Sequence, residues 1–207
     1  MTRFLCLLLL LPATSVFAQR RDPIPPFVID AHVAIPLLKQ NALTATTLDV
    51  TTDKLAGRGL GLVGGVHFYP IRLSGLTFGV GAELLLASAS HQDTDMEGKP
   101  TGVKIDRRFQ TFSGQLSLNF GKREGWSYLT AGMGPLAFDT FVAETMPDLL
   151  RPMTINYGGG ARWFNYDHLA FSLDLRFYLT KPAIATAVVG ARERQTVVVM
   201  SAGISLK

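Results

Sequence analysis

Residues 169–179 alternate strictly between large apolar side chains and smaller or polar ones. Every odd-numbered position in this segment is leucine or phenylalanine, whereas Asp174 and Arg176 stand at even positions. Successive side chains of a β-strand point to opposite faces, so a period of two predicts a strand with one apolar and one polar face. An amphipathic helix would instead need a period near 3.6 residues. The chain is therefore expected to form β-sheet.

Seven other segments follow the same period with weaker contrast. Each predicted strand has about 9–13 residues, close to the ~9–11 residues of a transmembrane β-strand. In the fifth strand the period fits either facing, because Trp126 and Tyr128 or Leu129 and Met133 could point outward. The eight predicted strands cover residues 27–35, 60–69, 76–86, 111–120, 126–138, 153–164, 169–179 and 196–206.

The predicted connections alternate strictly between long and short. Short turns on one side and long loops on the other are typical of outer-membrane barrels. An even number of strands places both ends of the chain on the short-turn side, which is the periplasmic side in such barrels. The long connections are 36–58, 91–107, 139–152 and 180–195, and the short ones are 70–75, 121–125 and 165–168.

Aromatic residues concentrate near the strand ends, which predicts one aromatic belt at each membrane interface. The first group, near the short turns, is Phe68, Tyr69, Phe120, Trp126, Tyr128, Trp163, Phe164 and Tyr166. The second group, near the long loops, is Phe109, Phe112, Phe138, Phe141, Phe177 and Tyr178.

The first 18 residues have the features of a secretory signal peptide. Arg3 precedes a short apolar run, Pro12 ends it, and a small-x-small cleavage site ends at Ala18. We expect residues 1–18 to be removed, residues 19–26 to form a proline-rich lead, and residues 27–207 to form the barrel. The single cysteine, Cys6, would leave with the signal peptide, so no disulfide is expected in the mature chain.

The polar face of the strands decides which way the barrel faces. The predicted strands contain no lysine, and charged residues make up only 17% of the chain. A soluble ligand-binding barrel, which stays an alternative, would carry many more charges outside. The residues instead predict an all-β, eight-stranded, antiparallel, up-and-down transmembrane β-barrel with a narrow lumen filled by side chains. The predicted lumenal polar residues are Asp30, His32, His67, Glu83, Gln115, Asn119, Asn156, Arg162, Asp174 and Arg176.

The segment 128–134, Tyr-Leu-Thr-Ala-Gly-Met-Gly, is one of several glycine- and aromatic-rich strands. Together with the signal peptide and the loop pattern, it resembles the OmpA-like small outer-membrane β-barrels. The resemblance implies a monomer in the outer membrane of a Gram-negative-type bacterium, in contact with the assembly machinery and with lipopolysaccharide. Leu206 stands near the end of the chain, where such barrels often carry the aromatic residue that the assembly machinery reads.

The lumenal charges allow two interpretations. Asp30, His32, His67 and Glu83 on the first three strands, and Arg162, Asp174 and Arg176 on the sixth and seventh, should pair inside the barrel because an unpaired buried charge is costly. They form either a polar core that fills the barrel or a gate that passes small ions. We expect the first, and therefore a non-enzymatic protein with a structural or surface role whose four long loops contact the environment. A narrow pore is the alternative.

The long-loop end contains three further candidate sites. Arg107 and Arg108, and likewise Arg192 and Arg194, could bind lipid phosphates or serve as generic interfacial anchors. His91, with Ser88, Ser90 and Asp93 nearby, offers a loose Ser/His/Asp set for a lipid-modifying enzyme, a further alternative. Residues 91–98 resemble the start of a calcium loop, but Lys104 stands where a bidentate glutamate is required, so a solvated loop tip is expected. No metal, cofactor or nucleic acid is expected as a ligand.

Overall fold

A computed structural model describes residues 23–73, 75–142, 151–187 and 189–207. The predicted signal peptide, 1–18, and the first part of the proline-rich lead lie outside the described residues, as does most of the third long connection.

Eight strands form one closed barrel in which every strand is antiparallel to the next and β8 pairs with β1. The predicted fold class is thereby confirmed. A short helix, α1 (Ala42–Thr47), and a 3₁₀ turn at Thr52–Lys54 lie in the connection between β1 and β2. The strands are β1 (Phe27–Leu37), β2 (Leu60–Leu73), β3 (Leu76–Thr94), β4 (Pro100–Lys122), β5 (Gly125–Val142), β6 (Met153–Phe164), β7 (Leu169–Thr180) and β8 (Gln195–Leu206).

The apolar face of the strands points outward along the whole middle of the barrel. Ile29, Leu62 and Leu116 are 46%, 65% and 66% exposed, whereas a soluble protein would bury most such residues. Within the described strands, no charged side chain points outward between the two rims of this apolar band. Such a surface is suited to the hydrocarbon region of a bilayer. No helix among the described residues is long and apolar enough to cross a membrane.

The structure settles the facing of β5 and corrects the two aromatic belts. Trp126 and Tyr128 point into the lumen, each 3% exposed, while Leu129 and Met133 point outward. Half of the aromatic residues assigned to the belts are buried. Six of them are lumenal, because their position in the alternation places them on that face: Tyr69, Phe109, Trp126, Tyr128, Phe138 and Tyr178. The seventh, Phe141, has the outward parity of β5 and is buried where β5 pairs with Val189 of the last long connection.

The second long connection is mostly strand and not loop. β3 and β4 continue as a paired hairpin beyond the apolar band, and only the tip at 95–99 turns. Asp95 shapes this tip, because its Oδ1 accepts hydrogen bonds from the backbone N–H groups of Glu97 and Lys99. The outward residues of this extension, such as Ser88, Ser90, Lys104 and Asp106, are polar, so the alternation with an apolar outward face that marks the membrane strands does not continue into it.

The described part of the proline-rich lead closes the short-turn mouth of the barrel. Ile24 is 1% exposed and packs with Val28, Tyr69, Trp126 and Tyr128 inside that mouth. The carbonyl of Pro26 accepts a hydrogen bond of 2.8 Å from the backbone N–H of Tyr69 and fixes the lead to β2. Ile24 is therefore part of the core at this mouth, and the end of the lead is bonded to the barrel.

Candidate functional site

The lumen contains a charged cluster centred on Asp30. Arg162 donates to both carboxylate oxygens of Asp30, from Nε at 3.1 Å and from Nη2 at 2.5 Å. Ser205 also donates to Asp30, and His67 Nε2 lies 3.2 Å from it. The Arg162 guanidinium stacks 4.2 Å from the Tyr128 ring centroid. A bidentate and fully enclosed pair of this kind is held rigidly.

A second lumenal cluster surrounds Arg176. Its guanidinium contacts Glu83 at 2.7 Å and Asp174 at 3.0 Å, so one cation lies between two carboxylates. Tyr178 donates a hydrogen bond of 3.1 Å to Glu83, and Tyr128 donates to Asp174. The tyrosine hydroxyls supply donors to carboxylates that a single arginine cannot fully satisfy.

Neutral polar side chains bond to these charges and fill the remaining lumen. Gln115 Oε1 accepts a hydrogen bond of 3.0 Å from Arg176, and Gln115 Nε2 donates one of 3.0 Å to Asn156. His32 Nε2 lies 2.7 Å from Ser172 Oγ. The result is a hydrogen-bonded network that crosses the lumen and has members on all eight strands.

The structure brings together all seven charged or histidine side chains expected in the lumen, but it pairs them differently from their order along the sheet. Arg162 bonds with Asp30 across the barrel, although its neighbour on β7 is Ser172, close to Asp174. Sequence reasoning also missed Tyr128, Tyr178 and Ser205. The sequence did contain a signal for Tyr178, because it stands at every second position along β7 with Asp174 and Arg176 and so lies on the same face.

The long-loop mouth is covered by two loops that bond to each other, residues 38–57 and 189–193, here called the lid. Thr44 Oγ1 donates a hydrogen bond of 2.7 Å to the carbonyl of Ala191, and the backbone N–H of Ala191 donates one of 2.9 Å to Thr47 Oγ1. Asn41 Nδ2 donates a hydrogen bond of 3.1 Å to the carboxylate of Glu193. These bonds join the first and the last long connections over the lumen.

Arg107 attaches the lid to the barrel wall, which corrects its predicted position at the lipid interface. Its side chain is 1% exposed and donates to the carbonyls of Ala56 at 2.7 Å, Lys39 at 3.0 Å and Leu38 at 3.4 Å. A residue this deeply enclosed cannot contact a lipid phosphate. The guanidinium replaces the hydrogen bonds that these loop carbonyls would otherwise make with water.

Arg192 also points inward and is not available to lipid. It is 8% exposed, donates to the carbonyl of Lys181 at 3.2 Å, and stacks 4.8 Å from the Phe138 ring centroid. The other member of each expected pair stays outside, because Arg108 is half-buried on the outer surface and Arg194 is exposed. Strand alternation separates Arg107 from Arg108 on β4, whereas Arg192 and Arg194 lie in the connection before β8 and differ in burial alone.

The His91 set is not assembled as a catalytic triad. His91 Nε2 lies 3.3 Å from Asp93 Oδ1, but Ser88 and Ser90 lie on the opposite face of β3, where they line an outer pocket. Lys54 Nζ contacts Asp93 at 2.5 Å and, through this hydrogen bond, holds the pKa of Asp93 below its ordinary value. Asp93 is therefore already bonded to a cation, and no cluster of three or more metal-ligating side chains occurs in the described ranges.

Comparisons with known proteins find distant similarities among solved structures. No family model matches the chain, and no curated protein matches it. Among solved structures, Neisserial surface protein A is 13% identical with a TM-score of 0.46, covering 88% of this chain and 97% of its own. Ail, the attachment invasion locus protein of Yersinia pestis, is 14% identical with a TM-score of 0.45, covering 87% and 95%.

The N-terminal β-barrel domain of Pseudomonas aeruginosa OprF is 12% identical with a TM-score of 0.40, covering 87% of this chain and 97% of that domain. At these identities and TM-scores the similarities say nothing about function. The likeness to OmpA-like barrels stays a resemblance.

Proposed function

We propose that this protein is a non-enzymatic, monomeric outer-membrane barrel of a Gram-negative-type bacterium that presents a rigid, loop-built surface outside the cell. In this proposal the barrel is a closed anchor and the long-loop end is the part that contacts the environment. The signal peptide and the loop asymmetry support export and orientation.

The observation that most supports this proposal is that the lumen is filled with side chains and covered at both mouths. The outer face of the same strands forms an apolar band around it. The Asp30 and Arg176 clusters occupy the middle, Ile24 packs in one mouth, and the lid bonds across the other. In the described part of the chain side chains fill the middle of the lumen, which is why we place the interactions of this protein on its surfaces. A narrow pore and a lipid-modifying enzyme are the alternatives that the following measurements test.

Cysteine labelling should place the two ends of the barrel on opposite sides of the outer membrane. The chain has one cysteine, Cys6, within the predicted signal peptide, so an introduced thiol would be unique in the mature protein. Met96, at the tip of the β3–β4 hairpin, and Tyr166, in the β6–β7 turn, are 107% and 72% exposed. We expect Met96→Cys to react with a membrane-impermeant maleimide in intact cells and Tyr166→Cys to react only after the outer membrane is permeabilised.

Comparing the Met96→Cys and Tyr166→Cys variants decides the orientation, because both side chains are exposed in the folded protein. Reaction of both variants in intact cells, or of Tyr166→Cys alone, would contradict the proposed orientation. Failure of both to react after permeabilisation would contradict export to the outer membrane.

The barrel should not conduct ions. In planar bilayers we expect no single-channel steps from the wild type or from Asp174→Ala, since Arg176 keeps its contact with Glu83 in that variant and still fills the lumen. A general porin reconstituted in parallel serves as the positive control. Steps in either form of this protein would favour the pore alternative.

A further inference from the structure

The basic residues at the long-loop end lie on two faces of the barrel wall, and only one face is open to lipid. Arg107 is enclosed beneath the lid, and Arg192 is buried within the lid itself. Arg58, just before β2, and Lys104 and Arg108, both on β4, point outward, on either side of β3. The outward residues are the ones that a membrane component can reach.

These three cations line one surface pocket of about 600 Å³. The strand register places Leu60 beside Ser88 and Ser88 beside Arg108, and the next outward row contains Ser90 and Asp106. Arg58 precedes Leu60 by two positions and therefore points to the same side. The pocket thus combines guanidinium groups, an ammonium group and the hydroxyls of Ser88 and Ser90, all of which can donate hydrogen bonds.

The pocket has an excess of positive charge. Lys104 Nζ lies 3.3 Å from Asp106, its one ion-pair partner. Among the residues that the structure describes, Arg58 and Arg108 contact no carboxylate. Arg108 is held in position by the Phe141 ring, whose centroid lies 5.1 Å from its guanidinium carbon. Both guanidinium groups are therefore available to bind an anionic ligand. Arginine binds phosphate through two parallel hydrogen bonds.

The position of the pocket indicates which anion it receives. Directly below it, the outward residues of the same strands are Leu62, Leu86 and Gln110, and Phe112 follows Gln110 on β4. Leu62, Leu86 and Phe112 are 65%, 47% and 57% exposed. Leu60 lines the pocket itself. The pocket therefore lies at the upper limit of the apolar band, at the depth where the phosphates of a lipid headgroup meet its acyl chains.

We propose that Arg58, Lys104 and Arg108 form a binding site for the phosphate group of a lipid in the outer leaflet, whose acyl chains would lie against Leu60, Leu62 and Leu86. This proposal rests on the proposed membrane location. The site differs from the pairs that the sequence suggested, because Arg107 is replaced by Arg58 from the β1–β2 connection and by Lys104 from the hairpin.

Binding can be measured on the purified, folded barrel in uncharged detergent micelles by native mass spectrometry. The probes are bisphosphorylated lipid A, the same lipid after removal of its phosphates, and inorganic phosphate. We expect the wild type to bind the phosphorylated lipid at least about tenfold more tightly than either other probe, since charge-assisted hydrogen bonds to phosphate need both the anion and the lipid anchor. Equal binding of the dephosphorylated lipid, or of inorganic phosphate, would overturn the assignment.

A double variant and a matched control locate the site. Arg58→Gln with Arg108→Gln should lower the affinity for the phosphorylated lipid about tenfold, and the corresponding Arg→Lys pair should lower it less because the charge is kept. Arg72→Gln with Arg123→Gln removes the same charge from exposed positions at the short-turn end and should change nothing. Similar losses in both Gln pairs would show general charge attraction and refute the site.

All variants are checked for folding by the shift in gel mobility that barrels show on boiling. The binding measurement uses micelles and the labelling measurement uses cells. A failure of the lipid site is therefore distinguishable from a failure of the proposed location.

Discussion

Replacing Arg162 with methionine should lower the free energy of unfolding by about 3–5 kcal/mol, because it leaves a buried carboxylate without its cation. Asp30 is 4% exposed and takes two hydrogen bonds from Arg162. Ser205 and His67 would remain beside Asp30, but neither carries the permanent charge of a guanidinium. The apolar methionine fills part of the space, so the loss arises mainly from the unpaired charge.

Urea unfolding of the barrel in lipid vesicles, followed by tryptophan fluorescence and by heat-modifiable gel mobility, measures this loss. The double variant Asp30→Asn with Arg162→Met removes both charges and should recover a large part of the stability. Arg123→Met, at an exposed turn position, is the control for the loss of one arginine. Equal stability of Arg162→Met and the control would show that the lumenal pair contributes nothing to the fold.

Replacing Arg107 with alanine should release the lid from the barrel wall without unfolding the barrel. The guanidinium donates to three carbonyls of residues 38–57, and a hydrogen bond involving a charged group contributes about 1.5–3 kcal/mol. Loss of about 3 kcal/mol corresponds to about a 100-fold increase in opening of this segment. Hydrogen-exchange mass spectrometry of peptides from 38–57 should show faster exchange by about that factor.

Arg108→Ala is the matched control, since it changes the adjacent residue on the same strand. Arg108 points outward, and the three hydrogen bonds to the lid come from Arg107. Hydrogen exchange in 38–57 should therefore stay at the wild-type rate in Arg108→Ala. Faster exchange in both variants would mean that the hairpin as a whole, and not the inward guanidinium, holds the lid. Unchanged exchange in Arg107→Ala would contradict its role as the attachment point.

Hydrophobic alternation predicted the eight strands and the charged residues of the lumen. The period of two reports which side chains share a face, so Asp174 and Arg176 could be assigned to one face from 169–179, and the composition of the polar face then placed that face inside. The rule did not reveal the β3–β4 hairpin beyond residue 86, where the outward face is polar. It also left the facing of Trp126 and Tyr128 open, because aromatic residues suit either a membrane interface or a filled lumen.

The partners of each lumenal charge could not be predicted, because they depend on how the barrel closes. The sequence placed Arg162 and Asp174 on neighbouring strands, yet Arg162 bonds with Asp30 across the lumen. The role of Arg107 was hidden for a similar reason. Its partners are backbone carbonyls, which every residue has and no sequence pattern marks.

The Asp30 cluster links the seam of the barrel to the timing of its assembly. Asp30 on β1 bonds with Ser205 on β8 and with Arg162 on β6, across sequence separations of 175 and 132 residues. The Ser205 bond forms only when the last strand has met the first, so the full set of partners around Asp30 exists only in the closed barrel. Contacts of such long range slow folding. A chain interrupted before β8 would therefore lack the Ser205 bond to Asp30 as well as have an open edge, and both features would distinguish it from the finished barrel.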